Sequence, residues 1–227
     1  MNTVESFNYK ISDDDEFSLL TVDLPEQKKI RVEASSMATM DSHVSMKTRA
    51  KGGIKRLFTK ESFFINEFKA DGAGGEISIA PALPGQILHQ TLDGTTPFYL
   101  QSSSYLASSL GVKTDLKWQG FKKGFFSGES LFLIKCSGLG DLWFNSYGAI
   151  FEVDVVGEYV VDTGHIVAFT EGLDYDIGRI GGYKSLFFSG EGFICRFSGQ
   201  GKLWIQTKKP NSFIYWADAY RKVKKRG

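Results

Sequence analysis

Two stretches of the chain repeat one another in order. Gly120-Phe-Lys-Lys-Gly-Phe-Phe-Ser-Gly-Glu129 and Gly181-Gly-Tyr-Lys-Ser-Leu-Phe-Phe-Ser-Gly-Glu191 share Phe-Phe-Ser-Gly-Glu. Each then runs through an apolar segment into Ser-Gly-x-Gly-x-Leu-Trp, at Ser137 to Trp143 and Ser198 to Trp204. A fainter third copy lies earlier, with Gly52-Gly-Ile-Lys-Arg-Leu-Phe-Thr-Lys-Glu61, the apolar run Phe63 to Ile65, a longer turn Asp71 to Gly75, and Ile77 to Ile79. Glu61, Glu129 and Glu191 are spaced 68 and 62 residues apart, so the repeating unit is about 65 residues, too long for a solenoid coil and right for a small β-unit. The spacing predicts an acidic lead-in at 1–16, units at 17–84, 85–150 and 151–210, and a basic tail at 211–227. One residue more separates Glu129 from Ser137 than Glu191 from Ser198, which predicts a β-bulge in one copy.

The units read as strands. The 227 residues include 25 Gly and 19 Phe but only 5 Pro, a composition for tight turns between paired strands. Alternating runs such as Ile30 to Glu33 and Tyr159 to Val161 are expected strands, and Asp93-Gly94 and Ser127-Gly128 are expected turns. Helical periodicity is confined to the end, Phe213 to Lys225. Three all-β units in tandem suggest three packed sandwiches or one pseudo-threefold prism of sheets, and the prism buries more strand edges.

Several classes are excluded or disfavoured. With 27 basic and 26 acidic residues, the net charge of +1 gives no general drive toward nucleic acid or anionic membranes. The two cysteines, Cys136 and Cys195, are too few for a disulfide framework or a zinc site and read as buried apolar residues in a reducing compartment. The acidic N-terminal stretch does not resemble a secretory signal, and no apolar run approaches the ~18 residues needed to span a bilayer. These features predict a soluble, cytoplasmic protein.

The run Lys122 to Leu133, the segment Tyr159-Val-Val-Asp-Thr-Gly-His-Ile-Val-Ala168, Leu173-Asp-Tyr-Asp176 and the run Gly181 to Glu191 resemble the family named for altered inheritance of mitochondria, over roughly residues 15–210. The resemblance implies tandem β-sandwich-like repeats folded like the trp RNA-binding attenuation protein, of the double-stranded β-helix type, packed with pseudo-threefold symmetry. It also implies homo-oligomers, for which a trimer is expected, and its mitochondrial relatives are linked to inner-membrane organisation. It carries over no catalytic residues.

Residues present in every unit shape the unit, whereas catalysis needs one site. Glu61, Glu129 and Glu191 recur with Lys55 and Arg56, Lys122 and Lys123, and Lys184 upstream. They read first as turn carboxylates paired with lysines or backbone N–H groups, and second as a ring of charges binding an ion or an anionic ligand. Asp162-Thr163-Gly164 matches an aspartic-protease tripeptide but aligns with the repeated turn at Ser102-Ser103-Ser104 and Ala34-Ser35. His43, His89 and His165 lack metal-ligand spacing, and no metal or cofactor is expected. Gly138-Leu-Gly140 and Gly199-Gln-Gly201 read as hairpin turns rather than phosphate cradles.

Charge is uneven: residues 1–16 carry one basic and five acidic side chains, and residues 211–227 five basic and one acidic. The basic tail, and aromatics such as Phe58, Trp118, Phe121 and Tyr183 beside lysines, suit an anionic partner or single-stranded RNA. The leading expectation is nevertheless a non-enzymatic scaffold that oligomerises through its β-units and binds an unidentified protein partner. The second is a nucleic-acid or anionic-ligand binder using the Lys-bearing Gly-Gly loops, and a hydrolase is a remote third.

Overall fold

The computed structural model describes residues 6–12, 16–50, 64–118, 132–179, 193–218 and 220–221. Strand follows strand almost throughout. After β1 (Asn8–Ile11) come β2 (Leu20–Leu24), β3 (Lys29–Glu33), β4 (Met37–Met40), β5 (Val44–Ala50), β6 (Phe64–Ala70) and β7 (Gly75–Ile79). Next are β8 (Ile87–Asp93), β9 (Phe98–Gln101), β10 (Tyr105–Ser109), β11 (Val112–Trp118) and the long β12 (Phe132–Asn145). The last strands are β13 (Ile150–Asp162), β14 (Ile166–Thr170), β15 (Leu173–Arg179) and β16 (Phe193–Gln206), and one helix follows, α1 (Pro210–Asp218).

All these strand pairs are antiparallel, and one pattern of pairing recurs along the chain. Leu20 to Leu24 of β2 lie on Ile79 to Gly75 of β7; β8 lies in the same way on the second half of β12, and the first half of β13 on the second half of β16. The hairpin partners β5 and β6, β11 and the start of β12, and β15 and the start of β16 form a second recurring pair. In a third, β4 lies on β7, β10 on β12 and β14 on β16. Each of these slips register by one residue at the corresponding place: between Met37 and Thr39, Tyr105 and Ala107, and Ile166 and Ala168. That slip is the bulge geometry of the fold. The bulge expected from the spacing of Glu129 is not in β12, whose register on β11 is unbroken from Phe132 to Gly138, so the extra residue falls outside the described residues.

Alternation on these strands places one face inward. In β2, Leu20, Val22 and Leu24 are buried and join Ile30, Val32, Phe68, Ile77 and Ile79 in one apolar cluster. A second cluster gathers Leu100, Val112, Ile134, Cys136, Leu142 and Phe144, and a third Leu133, Val161, Ile166, Phe169, Cys195, Phe197 and Leu203. Both cysteines are buried and neither is in a disulfide, and burial pushes the Cys195 thiol up to about 12, with the Asp176 carboxylate adding to the shift.

The Gly-x-Gly pairs are not hairpin turns. Gly138 and Gly140, and Gly199 and Gly201, sit inside the continuous strands β12 and β16, where each strand passes from one partner to the next. Gly138 has φ +94°, and a Cβ there would lie 2.3 Å from the Gly111 carbonyl oxygen; Gly199 has φ +119° and stands at the same distance from the Gly172 oxygen. A glycine is required because another backbone crosses within van der Waals reach of its Cα. The sequence showed a turn-forming residue, and the tertiary approach converted it into a bend.

The terminal helix is shorter than its periodicity suggested. α1 starts at Pro210, whose missing N–H costs nothing in a first turn, and ends at Asp218, with Lys222 to Gly227 outside the described residues. Among the described residues no helix is long and apolar enough to cross a membrane.

Candidate functional site

Lys55, Arg56, Glu61, Lys122, Lys123, Glu129, Lys184 and Glu191 all lie outside the described residues. The strands that flank them are placed: Ala50 faces Phe64, Trp118 faces Phe132, and Arg179 faces Phe193. Ser127-Gly128 and the aromatics Phe58, Phe121 and Tyr183 lie outside as well.

Among the described residues one densely bonded polar group is centred on Asp141. It stands in β12 where the parallel motif of β16 has Lys202, and its side chain is fully buried. One carboxylate oxygen lies 2.8 Å from His89 Nε2, and the other accepts the Phe7 backbone N–H at 2.8 Å. The Asp141 N–H donates to Ser109 Oγ at 2.7 Å. A histidine oriented by a buried carboxylate is the geometry of a general base, provided the imidazole faces open space and a nucleophile. Neither condition holds among the described residues. The Tyr9 ring lies 4.6 Å and the Trp143 ring 5.3 Å from the His89 ring, and Ser109 is committed to the Asp141 backbone. The arrangement is a clamp: it pins Phe7 and β1 over β12. Asp141 was missed in the sequence, although it is the kind of residue that differs between otherwise matching copies.

Asp162 of the Asp-Thr-Gly tripeptide is equally engaged. Its carboxylate accepts from the Gly164 N–H at 2.8 Å and from Lys209 Nζ at 2.9 Å, capping the 3-10 turn Thr163–His165 and tying it to the chain just before α1. The matching turn Ser102–Ser104 is also 3-10, so this place is a recurring corner. His165 Nδ1 meets the Gln206 carbonyl oxygen at 2.6 Å, and among the described residues no three His, Cys, Asp or Glu could share a metal ion.

Two of the open clefts among the described residues exceed the one, of about 380 Å³, lined by Tyr9, Lys10 and Asp23. One, of about 810 Å³, is lined by Tyr99, Lys135, Phe169, Glu171 and Tyr175. Burial pushes the Tyr99 hydroxyl up to about 12, aided by its hydrogen bond to Glu171. The other, of about 450 Å³, lies under α1 and is lined by Tyr147, His165, Lys208, Lys209, Phe213 and Trp216. Lys208 Nζ stands 5.7 Å above the Tyr147 ring, and the rings of Phe213, Trp216 and Tyr220 follow one another, tilted, with centroids 6.0 and 5.3 Å apart. Phe213, Ile214, Tyr215, Trp216 and Tyr220 are all more than half exposed, next to the basic run that begins at Arg221. Aromatic faces beside lysines are what an anionic, ring-bearing partner needs.

Residues 9–208 match the family model described as Mitochondrial biogenesis AIM24. An uncharacterized protein of Streptococcus pyogenes serotype M6 is 30% identical over 211 residues, covering 87% of this chain and 84% of the relative. The X-ray crystal structure of a Streptococcus pyogenes protein superposes with a TM-score of 0.82 at 26% identity, covering 95% of this chain and all of that one.

Proposed function

The chain belongs to the Mitochondrial biogenesis AIM24 family, and from that footing we propose that it is a non-enzymatic scaffold: three β-repeats, at 17–84, 85–150 and 151–210, that oligomerise and hold a partner on their surface. The observation that carries the reading is how the repeats are joined. β10 pairs with β3 across the first boundary and β14 with β9 across the second, so each repeat is attached to the one before it by addition of a strand. A unit that binds its neighbour by adding a strand is already an assembly module. The tightest polar groups support the same reading, because Asp141 and Asp162 are spent on holding segments together. Sedimentation velocity of the intact chain over a wide dilution series tests it: a mass above that of one chain, falling on dilution, is expected. A single-chain mass at every concentration would overturn it.

A second reading is favoured by the surface of α1. Its exposed rings and Lys208 suit single-stranded RNA, with Lys55, Arg56, Lys122, Lys123 and Lys184 as further phosphate contacts. In that case Trp216 fluorescence is quenched by a short single-stranded RNA, the affinity drops steeply with salt, and Trp216→Phe abolishes the signal. Salt-independent fluorescence would remove this reading.

A further inference from the structure

The two boundaries between repeats use one register. At the first, Ala107 faces Val32, Ser108 faces Arg31 and Ser109 faces Ile30; at the second, Ala168 faces Leu100, Phe169 faces Tyr99 and Thr170 faces Phe98. The strand that crosses is each time the one with the one-residue slip, and its buried residues enter the core of the preceding repeat. Leu106 and Ala107 complete the cluster of Leu20, Ile30, Val32 and Phe68, and Val167 and Ala168 complete that of Leu100 and Ile134.

Each half of this joint is left over once. β4 is the slipped strand of the first repeat. Its Met37 and Thr39 take the pairing positions of Tyr105 and Ala107, yet among the described residues it pairs only with β7. Whereas Tyr105 to Ser108 and Ile166 to Phe169 are buried, Ala38, Thr39 and Met40 are exposed. The receiving strand of the third repeat is the end of β13. Val160 faces Arg196 as Tyr99 faces Lys135 and Arg31 faces Glu67, and among the described residues β13 pairs only with β16. Val160 is 47% exposed, and the third cluster, around Val161, Cys195 and Phe197, contains no residue from a following repeat. Among the described residues the outer edges of β5, β11 and β15 have no partner strand in any repeat, but the edges of β4 and β13 lack a partner that both internal boundaries supply.

We propose that a second copy of this chain fills that place: β4 of one copy adds antiparallel to residues 159–161 of β13 in the next, with Thr39 opposite Val161, Met40 opposite Val160 and Asp41 opposite Tyr159. The proposal rests on the scaffold reading and specifies its interface. The two edges are different surfaces, so each contact joins copies head to tail, and its repetition gives a closed ring, of which a reciprocal pair is the smallest, or an extending filament. The driving terms are those of the internal boundaries: backbone hydrogen bonds along a short ladder, and burial of the Ala38 and Met40 face and the Val160 face.

The test uses the full chain. Met40→Cys and Val160→Cys, made in separate chains and mixed, should form a disulfide-linked dimer under mild oxidation. Neither variant should do so alone, and Met40→Cys mixed with Glu158→Cys should link far less. Val160→Lys places a charge where a strand must dock and should weaken association roughly tenfold or more, while an unchanged thermal transition shows that the exposed site is tolerated. If the wild-type chain self-associates but the mixed cysteines stay unlinked and Val160→Lys associates normally, this interface is wrong and the scaffold reading stands. A wild-type chain that never associates overturns both.

Discussion

His89 Nε2 and Asp141 Oδ1 lie 2.8 Å apart on neighbouring strands, and the other oxygen of Asp141 holds the backbone of Phe7, 134 residues away. The same carboxylate helps to raise the Tyr9 hydroxyl pKa, behind burial as the main cause. One buried acid thus fastens the N-terminal segment to the middle of the chain.

Asp141→Ala should therefore cost about 3 kcal/mol or more, because it strands the Phe7 N–H and the imidazole without their acceptor. The local signature is faster hydrogen exchange at Phe7 and along β1. Protection there equal to the wild type would show that the clamp is unnecessary.

Glu33, at the end of β3, has its carboxyl pKa pushed from 4.5 up to about 7 by burial, with the Ser36 hydroxyl pulling the other way. Between those values the folded chain keeps a proton that the unfolded chain releases, so this contribution is present at low pH and is lost as pH rises through about 7. Glu33→Gln, which mimics the protonated form, should stabilise the protein by roughly 1–3 kcal/mol at about pH 8 and flatten the dependence between about pH 5 and 8. Urea unfolding at both ends of that range decides it, and an unaltered slope counts against the assignment.

Gly138→Ala forces a Cβ to within 2.3 Å of the Gly111 oxygen at a φ of +94°, whereas Gly178, on β15, has nothing within 4 Å and an ordinary φ. The first substitution should cost roughly 3 kcal/mol or more and the second about 1 kcal/mol or less, in either direction. Equal melting temperatures for the two variants would refute the close approach at the bend.

Leu106 is fully buried and packs into the cluster that contains Leu20 and Phe68. Leu106→Ala should destabilise by about 2–5 kcal/mol. Its effect should carry across the β10–β3 pairing, seen as faster exchange in β3 and β6 as well as in β10. Exchange confined to β10 would mean that the boundary is not shared.

Much of the strand pattern was legible in one dimension because it is local. Ile30 to Glu33 and Tyr159 to Val161 alternate with period two, and Asp93 is followed by Gly94 at φ +87°, with its carboxylate accepting from the N–H groups of Thr95 and Thr96. Gly138 and Gly199 were legible only as glycines. Whether such a residue closes a hairpin or bends a continuous strand depends on what approaches it, here Gly111 and Gly172 from the neighbouring turns. The candidate charges at Lys55 through Glu191 recur with the repeat, and they fall on segments between described strands, whereas the buried polar group around Asp141 stands where the copies differ.

The sequence by itself determined an all-β chain with an ordered internal similarity and opposite charges at its ends, because strand alternation, turn chemistry and charge are written in neighbouring residues. Only the tertiary structure decided which edges are satisfied. Ser108 and Met40 hold the same place in their ladders, opposite Leu142 and Ile77, yet one is buried against Arg31 and the other is exposed. That difference depends on what lies across the strand, a partner supplied from far along the chain or by another molecule.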